Sequence, residues 1–161
     1  MTIKPGDRLP ETAFRVTTPD GVVVRSTADV FNGRKVVLFA VPGAFTPTCH
    51  KNHLPGFLTA REEILAKGVD AIAVTAVNDP FVMDAWAKAT GAAGKIEFLA
   101  DGSGDFAKAI GMDLDVTARG LGLRSQRYAM VVDDGVVTLI NKEENPSQAD
   151  VSSAATLLQA L

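Results

Sequence analysis

One cysteine, one tryptophan, one tyrosine and two histidines stand among 161 residues. A lone cysteine closes no internal disulfide, so the core must hold by packing alone. One cysteine and two histidines also fall short of a four-ligand zinc set. Excess basic charge is missing too: 16 Lys+Arg face 19 Asp+Glu, a net charge of −3, which gives no footprint for nucleic acid. No block of like charge suggests a binding tail. The longest apolar runs, such as Val36–Val41, are strand-sized and far too short to span a bilayer. The opening MTIKPGDRLPETAF is polar and broken by Pro5 and Pro10, unlike an export signal, and Gln159-Ala160-Leu161 is not a peroxisomal ending. A free thiol without an export signal leads us to expect a cytoplasmic protein.

What is present is ordinary globular material, 47% hydrophobic and 22% charged. No repeat, linker or low-complexity tract divides it, so one domain over residues 1–161 is expected. Ala13–Val16 and Val22–Arg25 flank Pro19-Asp20-Gly21, an N-terminal β-hairpin. Lys35–Val41 (KVVLFAV) reads as a strand buried on both faces, and Ala71–Thr75 and Glu97–Ala100 as two more. Arg127–Val132 and Val136–Ile140 flank Asp133-Asp134-Gly135, which makes that acidic pair a hairpin turn. Helical patterns cover Leu58–Lys67, Pro80–Thr90 behind an Asp79 cap, Asp105–Ile110 and Val151–Leu161. Alternating strands and helices with a closing hairpin predict an α/β fold, a mixed central sheet flanked by helices.

The strand Lys35–Val41 runs into Pro42-Gly43-Ala44-Phe45-Thr46-Pro47-Thr48-Cys49-His50. Pro42 and Gly43 end the strand. Thr46 before Pro47 reads as a hydroxyl N-cap with proline at the first helical position, which puts Cys49 in the first helical turn. There the unpaired N–H groups and the positive end of the helix favour thiolate, the nucleophilic form, over thiol. The Thr46 hydroxyl, one turn earlier, is within reach of the sulfur. The dipole contributes only about 0.3–1 kcal/mol, so full activation needs a cation as well. Against this stands the commoner fate of a lone cysteine, an inert place in the core.

The stretch VPGAFTPTCHKNHLPGF, Val41–Phe57, closely resembles the active-site segment of peroxiredoxins. It carries their Pro-x-x-x-Thr-x-x-Cys motif as Pro42, Thr46 and Cys49, and GAFTP and HLPGF resemble the type II branch. VNDPFVMDAW (Val77–Trp86) and RYAMVVDDGVV (Arg127–Val137) extend the likeness over nearly the whole chain. The resemblance implies a thioredoxin-like fold and a thiol peroxidase. It implies that Cys49 attacks the peroxide, that Thr46 hydrogen-bonds thiolate and peroxide, and that Pro42 shields the sulfur. Arg127 is implied as the missing cation, with Arg124 the weaker match. Gly43, Phe45, Thr48 and His53 are expected around them in the substrate pocket or just behind it.

Cys49 and His53 are four apart, which on a helix makes them neighbours. From the residues alone they are a nucleophile pair or half a metal site; the resemblance makes His53 a supporting residue. His50 is expected on the helix surface, and Phe45, Phe57 and Trp86 in a pocket, a dimer contact or the core. Pro55-Gly56 suggests an irregular turn. Two-cysteine relatives close their cycle with a resolving cysteine, and this chain has none. The expected reductant is therefore an external thiol, glutathione with or without glutaredoxin, or thioredoxin, with no bound cofactor. A homodimer is implied by the resemblance alone. A redox sensor passing oxidation to a partner protein, or a non-catalytic binding module, remains an alternative.

Overall fold

The run Lys35–Ala40 forms β3, and all but its first residue are buried. The computed structural model describes residues 1–161 without a gap. In it β3 lies inside a seven-stranded sheet of order β2-β1-β5-β4-β3-β8-β9. β4 (Ala71–Ala76) runs parallel to β3 on one side and β8 (Tyr128–Asp133) antiparallel on the other. β5 (Glu97–Ala100) continues the parallel part. The antiparallel hairpin of β1 (Ala13–Thr18) and β2 (Gly21–Ser26) completes that edge, while β9 (Val136–Lys142) forms the other. The mixed sheet and the N-terminal hairpin are those expected.

The alternation of β3 divides the interior. Val37 and Phe39 point into one apolar cluster and Val36, Leu38 and Ala40 into another. On the Phe39 side lie α2 (Leu54–Thr59), α3 (Arg61–Ala66), α4 (Pro80–Thr90) and α6 (Ala154–Gln159), which contribute Leu54, Phe57, Ile64, Met83, Trp86 and Leu157. On the Leu38 side α1 (Thr27–Phe31) brings Val30 and Phe31, and α5 (Asp105–Ala109) brings Phe106. Helices on both faces of a sheet whose inner strands are buried make this a thioredoxin-like α/β fold.

Several elements depart from the sequence reading. The helix α1 was not anticipated, because five residues are too few to show a period; its capping box, Ser26 with Asp29, is the signal that marks it. The short antiparallel pair β6 (Asp113–Asp115) and β7 (Leu123–Ser125) was also missed. The segment read as one helix over Leu58–Lys67 belongs to two, divided at Ala60, whose ψ of 0° leaves the helical range. The terminal helix begins at Ala154 rather than Val151, because the Ser153 side chain accepts the Thr156 N–H and sets the start there. The irregular turn expected near Pro55 is a π-helical turn over Cys49–His53, in which the Leu54 N–H donates to the Cys49 carbonyl. Pro55 has no N–H and its ring crowds the carbonyl four residues back, and the wider turn just before it relieves that crowding.

Phe57 stacks on Phe39 with ring centroids 4.2 Å apart and planes 7° off parallel, and both are wholly buried. This pair ties the cysteine-bearing helix to β3. Phe57→Ala is expected to lower the unfolding free energy by about 3–5 kcal/mol, measured by urea denaturation.

Candidate active site

β3 ends where the Val41 N–H reaches the Thr75 carbonyl at 3.2 Å, and Pro42 then turns the chain. Asn78, just past β4, accepts the Ala44 N–H at 2.9 Å and pins the loop. Phe45 takes the left-handed conformation, φ 64°, which swings the chain into the helix that Pro47 opens. The His50 N–H donates back to the Thr46 carbonyl at 2.9 Å, so Cys49 does sit in the first turn. Its side chain is wholly buried.

Thr46 Oγ1 lies 2.9 Å from Cys49 Sγ and 2.7 Å from the Gly43 carbonyl oxygen. One hydroxyl proton serves only one of them at a time. Facing a thiolate it goes to the sulfur. Facing a thiol, the S–H donates to Oγ1 and the hydroxyl turns to Gly43. The hydroxyl thus follows the charge state of the sulfur with a single rotation.

Arg127, immediately before β8, places three donors on three acceptors. Nη2 reaches Cys49 Sγ at 2.8 Å, Nη1 reaches His53 Nδ1 at 2.8 Å, and Nε reaches the Pro146 carbonyl at 2.8 Å. Only 2% of the residue is exposed, and none of the ion pairs in the protein includes it. A buried cation without an anion is costly. Among its hydrogen-bond partners only the Cys49 sulfur can take a negative charge, so the guanidinium faces the one partner whose anionic form it would stabilise.

His53 is 2% exposed, and its ring nitrogens bond Arg127 and the Ser152 carbonyl rather than the sulfur. Since guanidinium only donates, Nδ1 must be the acceptor, and Nε2 carries the proton and donates to the Ser152 carbonyl at 2.9 Å. Burial, reinforced by the Arg127 charge, pushes the imidazole down to about 3 from 6.5, so it is neutral at physiological pH. The arrangement is therefore not a nucleophile pair: Arg127 stands between cysteine and histidine. Both ring nitrogens are engaged by protein, and no cluster of three or more His, Cys, Asp or Glu side chains is gathered to hold a metal ion.

The other expected residues fall into place unevenly. Pro42 is half-buried and Gly43 buried beside the sulfur's neighbours. A Cβ on Gly43 would come within 2.9 Å of Arg124 Nη1 and 3.1 Å of Thr46 Cγ2, so the arginine end would swing aside and Thr46 would be pressed toward the sulfur. Arg124 lies over this turn, 3.4 Å from the Pro42 carbonyl, and Arg127 is the one at the sulfur. Thr48 faces away and donates to the Ser147 carbonyl at 2.8 Å. Phe57 and Trp86 are core residues, whereas Phe45 is 48% exposed and stacks on His50. His50 is not a free surface residue, since its Nδ1 accepts the Trp86 indole N–H at 3.0 Å. The sequence reading missed Asn78 and the carbonyls of Pro146, Ser147 and Ser152. A backbone carbonyl has no signature in residue type.

The Redoxin family model matches residues 4–158 of the chain. Peroxiredoxin-2D of Arabidopsis thaliana is 44% identical over 157 residues, covering 97% of this chain and 96% of the relative. Peroxiredoxin-2C of Oryza sativa subsp. japonica is 52% identical over 129 residues, 80% of this chain and 79% of that one. Among solved structures, reduced Prx3 from Vibrio vulnificus in complex with hydrogen peroxide superposes with a TM-score of 0.94 and 49% identity over 99% of both chains.

His53 makes folding pH-dependent. Between its folded value of about 3 and its free value of 6.5, the unfolded chain binds a proton that the folded chain refuses. Stability is expected to fall as pH drops through that window, by up to about 1.4 kcal/mol per pH unit from this group. Urea denaturation at a series of pH values checks this, and the loss should be smaller in His53→Gln.

Proposed function

The chain belongs to the Redoxin family as a type II peroxiredoxin with a single cysteine, a thiol peroxidase, and from that premise we propose that Cys49 carries the reaction. The observation behind this reading is the buried guanidinium 2.8 Å from Cys49 Sγ. The thiolate attacks the terminal oxygen of ROOH, the S–O bond forms as the O–O bond breaks, and the alkoxide leaves to take up a proton. The products are Cys49–SOH and ROH. Arginine has five N–H donors, and three are used by the sulfur, His53 and Pro146. The remaining two, one on each terminal nitrogen, are free to bind the peroxide oxygens and stabilise the charge that develops on the leaving one. Thr46 adds a hydroxyl beside the reacting sulfur, and Pro42 limits water there.

Reduction needs two external thiols. We propose glutathione, with glutaredoxin as its carrier: one thiol condenses with the sulfenic acid to a mixed disulfide and water, and the second releases the cysteine as thiol. The balance closes without a bound cofactor. A wholly buried sulfur favours a tripeptide thiol over the surface of a folded reductant such as thioredoxin. The same recess disfavours the sensor reading, in which a partner protein must reach Cys49.

The rings of Phe45 and Phe81, 48% and 70% exposed, lie on the two segments joined by the Ala44–Asn78 bond, and we propose that two copies pair across them as a homodimer. No helix is long and apolar enough to cross a membrane. A reducing compartment suits the chemistry, in the first instance the cytoplasm; relatives with chloroplastic names are also similar.

Intact mass measured after one equivalent of hydrogen peroxide, then glutathione, tests both halves. A gain of one oxygen on Cys49 replaced by a glutathione adduct is expected. Oxidation without the adduct overturns glutathione as reductant, and no oxidation overturns the assignment of Cys49. Arg127→Ala is expected to slow oxidation by about 10²–10³-fold in stopped-flow kinetics while remaining folded, and Cys49→Ser to be inactive.

A further inference from the structure

Two of the three bonds that aim Arg127 trace to one loop, and that loop is closed by a single carboxylate. Glu143 follows β9, and its N–H donates to the Arg127 carbonyl at 2.9 Å, so the two residues face each other at the end of the β8–β9 ladder. Its side chain turns inward, 4% exposed. There Oε2 accepts three donors: the Asp150 N–H at 2.7 Å, the Ser152 N–H at 2.8 Å and the Ser152 hydroxyl at 2.6 Å. Residues 143–152 are thereby drawn into a loop fixed at both ends.

The carbonyls of this loop point back at the active site. Pro146 takes the Arg127 Nε–H, Ser147 takes the Thr48 hydroxyl, and Ser152 takes the His53 Nε2–H. We propose that Glu143 is a positioning residue for the peroxide reaction, acting through Ser152 on His53 and through His53 on the Arg127 guanidinium. A charged acceptor makes the stronger hydrogen bonds, and here one oxygen gathers three of them. Without it the Ser152 N–H and hydroxyl lose their acceptor in a buried place, and the loop has no reason to keep its path. The Pro146 and Ser152 carbonyls then drift together. The guanidinium keeps its bond to the sulfur but loses its aim at the leaving oxygen. The role of Arg127 at the sulfur is the reading on which this inference rests.

The test compares two reactions of the same sulfur. The second is alkylation by iodoacetamide. Both reactions require a thiolate that a small reagent can reach, but only peroxide reduction requires an aimed guanidinium. Glu143→Ala is expected to lower the second-order rate constant for hydrogen peroxide by about 10–100-fold, by analogy with the loss of an outer partner that orients a metal ligand. Alkylation should change by less than about threefold. Glu143→Gln, whose amide oxygen still accepts the three donors, should recover most of the peroxide rate. An unchanged peroxide rate in Glu143→Ala, or equal losses in both reactions, overturns the proposal and leaves Glu143 a loop anchor. If Glu143→Ala does not fold, Glu143→Asp replaces it: the carboxylate is withdrawn by one methylene, and a loss of about threefold or more in the peroxide rate alone is expected. No loss there is equally fatal. A wild-type peroxide rate no higher than that of Arg127→Ala would instead remove the assignment of Arg127 beneath it, and the relay with it.

Discussion

A guanidinium buried without a carboxylate is the constraint around which this structure is arranged. Arg127 is 2% exposed, and its hydrogen-bond partners are a sulfur, a neutral imidazole and a backbone carbonyl. Two of those acceptors are uncharged, so the energetic case for burying the cation falls on Cys49. Neutrality of His53 belongs to the same logic, because burial opposes its charge and a second cation beside Arg127 would be repelled. The imidazole serves as an acceptor fixed in one tautomer by the Ser152 carbonyl. Charge, tautomer and geometry are thus settled together.

The sheet makes this possible by bringing distant segments to one end. β3 delivers the loop and helix that bear the cysteine, and its antiparallel neighbour β8 begins one residue after the arginine. Ala40 of β3 pairs with Tyr128, so the two site-bearing segments leave adjacent strands at the same level. A slip of one residue in that register would send Arg127 to the opposite face of the sheet. The apolar alternation of β3, with Phe39 in one cluster and Leu38 in the other, guards against it.

Much of this was legible in the sequence because it is written in residue type. A hydroxyl before a proline marks a helix start, and Thr46-Pro47 does so here. The strands β3, β4, β8 and β9 show as runs rich in β-branched residues, β5 as a short apolar run, with a hairpin turn between β8 and β9. Cys49 and Arg127 were legible through resemblance, since nothing in spacing alone joins residues so far apart in the chain. The illegible part is carried by backbone or by context. Pro55 announced an irregularity but not its π-helical form. His50 was assigned to the surface because no local pattern reveals that the Trp86 indole, on another helix, reaches it. Glu143 and Glu144 are indistinguishable in sequence, yet one is buried and the other exposed.

The loop over residues 143–152 meets the site through the main-chain carbonyls of Pro146, Ser147 and Ser152. Every amino acid offers the same carbonyl. Descendants of this chain are therefore free to exchange the side chains at Pro146 and Ser147 and still present the same oxygens, whereas Ser152 also anchors the loop through its hydroxyl on Glu143. What they are not free to change is the number of residues between Glu143 and Ser152, which sets where each oxygen falls. Between Glu143 and Ser152 the geometry constrains length and path more than identity. Between those two anchors, deletions and insertions, rather than substitutions, are the lesions that would disarm it.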